Sequence, residues 1–196
     1  MVIKKHTHIV IFVGLAGSGK TSATDYLSNK GFPKIHLGSV ILKAMEESQI
    51  ERTWASEQKF REEIRAREGK DFVIKRAIAN INDLMSAGQR LIVVDGVYSW
   101  SEYVLLKQTF PGQTTFISIV APKHIRYQRI GKRTERPMTP REVDERDWSE
   151  IKNLEKGGPI ASADYFIIND GSLDELHAKI DELTAVTRFC KAPDQC

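Results

Sequence analysis

The sequence feature that most constrains the fold is a glycine-rich stretch close to the N-terminus. Residues 14–21 read GLAGSGKT, which matches the pattern G-x-x-x-x-G-K-[ST] without a gap. An unbroken apolar run, Ile9–Val13, precedes it, and Thr21–Lys30 has helical character before Gly31, a plausible C-cap. A strand, a glycine loop and a helix in this order predict the opening unit of an α/β protein with a parallel sheet.

The residue types in this loop suit the binding of phosphate groups. Small residues let backbone N–H groups point inward around a phosphate, and the following helix N-terminus adds positive potential. Lys20 can reach the β- and γ-phosphates of a nucleoside triphosphate, and the Thr21 hydroxyl can bind Mg²⁺. A structural glycine turn with a solvated lysine is the alternative. We expect ATP and Mg²⁺ as ligands, with ATP bound by Gly14, Ala16, Gly17, Ser18, Gly19, Lys20, Thr21 and Ser22.

The rest of the chain alternates between apolar runs and helical segments. This alternation predicts βαβ units, and therefore a three-layer α/β fold with a five-stranded parallel sheet. We expect residues 1–190 to form a single domain and residues 191–196 a tail. The further predicted strands are Lys34–Leu37, Leu91–Val94, Thr115–Val120 and Tyr165–Ile168. The further predicted helices are Ser39–Ser48, Glu57–Arg67, Phe72–Met85, Pro122–Lys132, Pro140–Lys156 and Leu173–Val186.

Composition narrows the class of protein. The net charge of +3 over 196 residues is too small for a protein that mainly coats DNA or an anionic membrane. No apolar stretch approaches the roughly 18 residues that span a bilayer, and we interpret the N-terminal apolar run as a buried strand rather than a secretory signal. Cys190 and Cys196 have no metal-binding spacing and favour a reducing compartment. We therefore expect a cytoplasmic protein.

Asp95 is the predicted second half of the phosphate site. The apolar strand Leu91–Val94 leads directly into it, and ligands of parallel α/β sheets bind at the carboxyl ends of the strands. A carboxylate at that edge can hold Mg²⁺ directly or through water. Because Asp95-Gly96 is also a good turn pair, turn formation is the alternative.

A basic segment follows the predicted fourth strand. Residues 131–140 are polar, basic and proline-containing, and we predict that they form a flap over the phosphates. Guanidinium groups there would neutralise the charge of a phosphoryl group in transfer and exclude water. A solvated basic surface and a nucleic-acid site are the alternatives, although few aromatic residues are interleaved. The cations of this segment and the helix before it are Arg126, Arg129, Lys132, Arg133 and Arg136.

The chain from about residue 9 to residue 186 resembles the P-loop small-molecule kinases, meaning nucleoside monophosphate kinases, dephospho-CoA kinases and adenylate-kinase-related proteins. The phosphate loop is shared with many NTPases, so the resemblance depends on further segments in combination. These are Gly38–Lys43 after the second strand, Asp95-Gly96 after the third, the arginine-rich flap, Arg146-Asp147 on the next helix, and Ala163–Asn169 along the last strand.

The resemblance implies roles for residues beyond the phosphate loop. Arg129 would border the adenine and contact ATP phosphates, while Asn169 and Gly171 would line the adenine pocket. The resemblance further implies a catalytic set of Lys20, Asp95, Arg129, Arg133 and Arg136, with Mg²⁺ on Thr21 and Asp95. It places the acceptor between helices of about residues 39–88, against Gly38, Ser39, Lys43, Arg67, Gly96 and Arg146. For Arg67, an ordinary surface charge is the alternative.

Two segments depart from the patterns of these kinases. Ser39 and Lys43 stand where many monophosphate kinases have Asp and Arg, and Val97-Tyr98 stands where adenylate kinases have Pro-Arg. The expected activity is transfer of a phosphoryl group from MgATP to a small nucleotide or nucleotide-like acceptor. Phosphorylation of a hydroxyl group, as in dephospho-CoA kinases with Asp95 as the base, is one alternative. A P-loop ATPase that regulates a protein or nucleic-acid partner is another.

Overall fold

A computed structural model describes residues 7–51, 54–69, 71–134 and 136–186 of the chain. Within these ranges, five parallel strands form one sheet in the order β2-β3-β1-β4-β5. The prediction of an α/β fold with a five-stranded parallel sheet is therefore confirmed. The strands are β1 (His8–Val13), β2 (Lys34–His36), β3 (Leu91–Asp95), β4 (Thr114–Val120) and β5 (Tyr165–Ile168).

Nine helices connect and cover the strands in the described part of the chain. Seven of them overlap the predicted helices, whereas α5 and α8 were not predicted. The helices are α1 (Lys20–Asn29), α2 (Leu37–Glu47), α3 (Trp54–Glu68), α4 (Phe72–Ser86), α5 (Trp100–Thr109), α6 (Lys123–Gly131), α7 (Pro140–Leu154), α8 (Gly157–Ala161) and α9 (Leu173–Val186).

Helix α5 has no clear apolar stripe, which is why periodicity did not predict it. A local signal was nevertheless present, since Ser99 and Glu102 have the spacing of a capping box. The Ser99 hydroxyl accepts a hydrogen bond from the backbone N–H of Glu102 at 3.2 Å. The Glu102 carboxylate in turn accepts from the backbone N–H of Tyr98 at 2.7 Å, so the cap also fixes the loop after β3.

The central strand β1 is covered on both faces, as its unbroken apolar sequence predicts. Ile9, Ile11 and Val13 pack in the core with α2, α4 and α5, while Val10 and Phe12 pack in the core with α1 and α9. The register pairs Phe12 with Asp95, and Asp95 in turn with His36 on the next strand. The ends of β1, β2 and β3 therefore meet at one edge of the sheet, beside the glycine loop.

No helix in the described ranges is long and apolar enough to cross a membrane. The predicted tail, residues 191–196, lies outside these ranges, as do both cysteines.

Candidate active site

The glycine loop has a backbone conformation that requires glycine at several positions. Gly14, Gly17 and Gly19 have φ angles of 148°, 76° and 106°, which favour glycine. A side chain at Gly14 would collide with the backbone oxygen of Ile119, and one at Gly19 with the amide group of Asn169. The glycines are therefore needed both for the turn itself and for close approach of the neighbouring strands.

Lys20 and Asp95 face each other at the end of the sheet. The Lys20 ammonium donates to the backbone oxygen of Leu15 at 3.0 Å, across the loop that it follows. Asp95 is only 2% exposed, and its carboxylate accepts from the Thr24 hydroxyl at 3.3 Å. Thr21 lines the same cleft as Lys20 and Asp95, so the structure brings the predicted magnesium-binding oxygens to the edge of one cavity.

Burial and neighbouring charges change the protonation of Lys20. Burial, followed by repulsion from Lys156, lowers the pKa of the Lys20 ammonium to about 7, while Asp95 and Glu150 act in the opposite direction. A lysine with this pKa is only partly charged at neutral pH. A bound phosphate would restore its full charge.

Arg129 and Asn169 build the predicted adenine side of the site. The Arg129 guanidinium donates to the backbone oxygens of Asn169 and Gly171 at 2.9 and 3.0 Å. The Asn169 side-chain amide donates to the backbone oxygen of Ser18 at 2.7 Å. These bonds join α6, the loop after β5 and the glycine loop around a small cleft of about 190 Å³. Arg129 is thus bonded to the walls of this cleft.

The flap and the helix after it contribute cations to a larger cleft of about 580 Å³. Arg133, Arg136 and Arg146 line this cleft together with Lys20 and the glycine loop, and the resemblance implies that they bracket the transferred group. Burial, followed by repulsion from Arg146, lowers the pKa of Arg133. The cleft is therefore rich in positive charge.

Arg126 differs from the other cations of the basic segment. Its guanidinium forms a buried, two-point ion pair with Asp147, at 2.6 and 3.2 Å, and donates to the backbone oxygen of Ala16 at 3.0 Å. The interpretation of Arg126 as a flap cation is therefore wrong. Arg126 lies on the inner face of α6, and its contacts join this helix to the glycine loop and to α7.

Sequence reasoning missed one charged residue of the cleft, Lys156, and its ion-pair partner Glu150. The Lys156 ammonium lies 2.6 Å from one oxygen of Glu150, and Arg146 Nε lies 2.9 Å from the other. Lys156 was interpreted as the last residue of a helix, but α7 ends at Leu154 and Glu155 adopts φ 55° and ψ 32°. This left-handed turn reverses the chain and directs Lys156 into the interior, which helical periodicity does not predict.

The acceptor side agrees only in part with the residues that the resemblance implied. Gly38 lines the cleft, where the His36 ring and the Tyr98 hydroxyl lie against its α-carbon. The Ser39 hydroxyl instead donates to the backbone oxygen of His36 at 2.6 Å. Exposed Lys43 does not line the cleft.

Arg67 and Gly96 do not line the cleft either. Arg67 pairs with its neighbour Glu68 on the exposed surface of α3, at 2.8 Å. Gly96 has a φ of 88° and packs beside the Tyr98 ring, so it forms the turn after Asp95. For both residues, the described contacts support a structural role, which is a surface charge for Arg67 and turn formation for Gly96.

Comparison with known proteins identifies the family of the chain. Residues 10–152 match the family model described as AAA domain. The chain is 32% identical over 178 residues to the UPF0200 protein TK1334 of Thermococcus kodakarensis, which covers 89% of this chain and 95% of that protein. A UPF0200 protein of Thermococcus gammatolerans is 33% identical over 89% of this chain and 93% of its own length.

Solved structures share the fold at low sequence identity. Shikimate kinase from Bacteroides thetaiotaomicron superposes with a TM-score of 0.60 at 10% identity, over 92% of this chain and 98% of that one. A gluconokinase from Sinorhizobium meliloti superposes with a TM-score of 0.51 at 17% identity, over 94% and 97% of the two chains. The chain therefore belongs to the UPF0200 family, matches the AAA domain model, and has the fold of the P-loop small-molecule kinases.

Proposed function

We propose that this protein transfers the γ-phosphoryl group of MgATP to a small nucleotide or nucleotide-like acceptor, with a phosphate of that acceptor as the attacking group. The observation that carries this proposal is the larger cleft, where Lys20 and Thr21 face the flap and α7 cations Arg133, Arg136 and Arg146. A hydrolase needs a positioned water, whereas this cleft has room for a second substrate between two cationic walls.

The residues present fit a magnesium ion. The Thr21 hydroxyl and the Asp95 carboxylate are oxygen ligands of the kind that Mg²⁺ prefers, and both line the cleft. Bound there, the ion would neutralise charge on the phosphates of ATP. The hydrogen bond from the Thr24 hydroxyl orients the Asp95 carboxylate.

The roles of the other residues follow from their positions. Asn169 and Gly171 would receive the adenine, with Arg129 fixing the loop that carries them and bordering the phosphates. Arg133 and Arg136 would neutralise the transferred group from the flap, and Arg146 would hold the acceptor. Ser39, Arg67 and Gly96 are left out of the proposed acceptor site because their contacts support local structural roles. Lys43 is left out because it is exposed and does not line the cleft.

Phosphorylation of a hydroxyl group is the second candidate function. The observation that favours it is that Asp95 and His36 line the same cleft and could serve as a base near an acceptor hydroxyl. This reaction would need that base to take the proton of the attacking hydroxyl, whereas attack by a phosphate oxygen needs no proton transfer. The two candidates therefore differ in their acceptors.

An acceptor panel tests both candidates. ADP formation from MgATP is measured with nucleoside monophosphates, with dephospho-CoA, with small sugar acids, and with no acceptor. We expect stimulation by a compound with a terminal phosphate. Stimulation by hydroxyl acceptors alone would favour the second candidate. Turnover that ignores every small acceptor but rises with added protein or DNA would contradict both and favour a regulatory ATPase.

A further inference from the structure

Lys156 is an almost fully buried lysine on the wall of the larger cleft. Its side chain is 2% exposed, and its ammonium lies 2.6 Å from Glu150 and 4.8 Å from the centre of the Tyr98 ring. Burying an ammonium group is costly unless its charge and its hydrogen bonds are satisfied. Its position therefore calls for an explanation beyond packing.

The local charges do not balance without a ligand. Glu150 supplies one negative charge, yet it serves both Lys156 and Arg146, one at each carboxylate oxygen. An ammonium group carries three donors, and in the described part of the chain Glu150 is the sole hydrogen-bond acceptor that Lys156 reaches. The cluster is thus left with excess positive charge and with donors that an anion in the cleft could fill.

Lys156 and Lys20 face the same volume. Both line the larger cleft, and repulsion from Lys156 is, after burial, the strongest influence that lowers the pKa of Lys20. The glycine loop places Lys20 where the β- and γ-phosphates of ATP bind. A second ammonium group that lines the same cleft would therefore meet the γ-phosphoryl group as well.

We propose that Lys156 is a catalytic residue of the phosphoryl transfer, which binds the oxygens of the transferred group together with Lys20. This inference rests on the proposed function. In the step itself, an acceptor phosphate oxygen forms a bond to the γ-phosphorus while the bond from that phosphorus to the β–γ bridging oxygen breaks. MgADP leaves with the electron pair of the broken bond, and Lys156 keeps its proton throughout. Glu150 positions Lys156 through the 2.6 Å bond.

The substitution Lys156→Met tests this role, because it removes the charge and keeps the length of the side chain. Glu150 retains Arg146 as a partner in this variant, so no carboxylate is left buried alone. The matched control is Lys152→Met, an exposed lysine on α7. Thermal unfolding checks that each variant is folded. If the Met variant is not folded, Lys156→Gln, which keeps a donor for Glu150, replaces it.

Two measurements separate this proposal from the proposed function. The first is the ratio of the Kd for MgADP to the Kd for the magnesium complex of the β,γ-imido analogue of ATP. We expect Lys156→Met to bind MgADP within about twofold of wild type, while its preference for the analogue falls by roughly tenfold or more, since a hydrogen bond to a charged group contributes about 1.5–3 kcal/mol. An unchanged ratio in a folded variant overturns the role of Lys156, whether or not any acceptor is known.

The second measurement is acceptor-stimulated turnover. Loss of one preorganised donor to a transition state lowers kcat by about 10²–10³-fold, which is the expectation for Lys156→Met, with Lys152→Met at the wild-type rate. Lys156→Arg should recover part of the rate because it retains a cation beside Glu150. Wild-type turnover that no small acceptor raises would refute the proposed function, whereas equal acceptor-stimulated kcat in wild type and Lys156→Met would refute this inference.

Discussion

The proposed donor and acceptor sides of the cleft are built by different means. On the donor side, the main structural demands fall on the backbone of one short segment, residues 14–21, in which three glycines have positive φ angles. On the acceptor side, side chains from α2, the β3–α5 loop, the flap and the α7–α8 turn meet only in three dimensions. The comparison teaches that a phosphate site made of contiguous backbone can be predicted from a sequence. A site assembled from side chains that are far apart in the sequence cannot.

The largest effect should follow from a change on the donor side. Lys20→Ala should lower ATP turnover by roughly 10³-fold, because it removes the charged donor to the β- and γ-phosphates. Turnover and thermal unfolding are measured together, with Lys75→Ala, an exposed lysine of α4, as the control. Retained activity in a folded Lys20→Ala protein would contradict the comparison. The half of the site that the sequence predicts would then not be the half that binds ATP.

The buried ion pair between Arg126 and Asp147 should have the next largest effect, on stability. Arg126→Met leaves Asp147 buried without its partner, which should cost about 3–5 kcal/mol in the free energy of unfolding. Urea denaturation measures this loss. Asp181→Asn, which removes the partly exposed pair with Lys30, should cost no more than about 1 kcal/mol.

A double variant sharpens the test of this pair. Arg126→Met combined with Asp147→Leu should regain much of the lost stability, because an apolar pair can replace a buried ion pair. Nucleotide affinity should be lower than in the wild type in both the single and the double variant, since both lose the hydrogen bond from Arg126 to the backbone oxygen of Ala16. Full recovery of affinity would show that the glycine loop holds its shape without support from α6.

On the acceptor side, Arg133→Ala should mainly lower kcat, by roughly 10²-fold, with little change in the KM for ATP. The physical reason is that a flap guanidinium stabilises charge that develops during transfer. The matched control is Arg141→Ala, an exposed arginine paired with Glu145 on α7. An unchanged kcat would indicate that Arg133 is an ordinary surface charge. It would also weaken the proposal for the whole flap.

The smallest expected effect is on pH dependence. The pKa of Lys20 in the free protein is about 7, and a bound phosphate raises it, so binding above pH 7 takes up a proton. Affinity for the β,γ-imido analogue should therefore be constant below pH 7 and fall above it, by up to about tenfold per pH unit. Titrations at several pH values measure this slope, which Lys20→Met should remove. A flat wild-type profile would contradict the altered pKa.

The fold and the donor half of the site could be predicted because their signals are local. The run Ile9–Val13 and the loop after it are contiguous, and Asp95 directly follows a buried strand. Arg129 and Asn169 were implied by resemblance, and they do lie together. These agreements concern positions, and the roles of the residues remain predictions.

The rest could not be predicted because it depends on tertiary contacts and on single backbone torsions. Whether Arg126 faces the cleft or Asp147 is decided by the packing of α6 against α7. Lys156 enters the cleft only because Glu155 leaves the helical conformation. The Ser39 hydroxyl donates a hydrogen bond to the backbone oxygen of His36. This local bond competes with any contact between Ser39 and a ligand.

The anchoring of the flap has a consequence for the timing of catalysis. Its first end is fixed by α6, and its second by Thr139, whose side chain and backbone form a reciprocal cap with Glu142. Arg126 and Asp147 also join α6 to α7, so the helices on both sides of the flap are held together. Lid motions over a bound substrate take microseconds to milliseconds, and lid opening limits turnover in many enzymes. We therefore expect the opening of the flap, which precedes the departure of products, to contribute to the slow step of turnover.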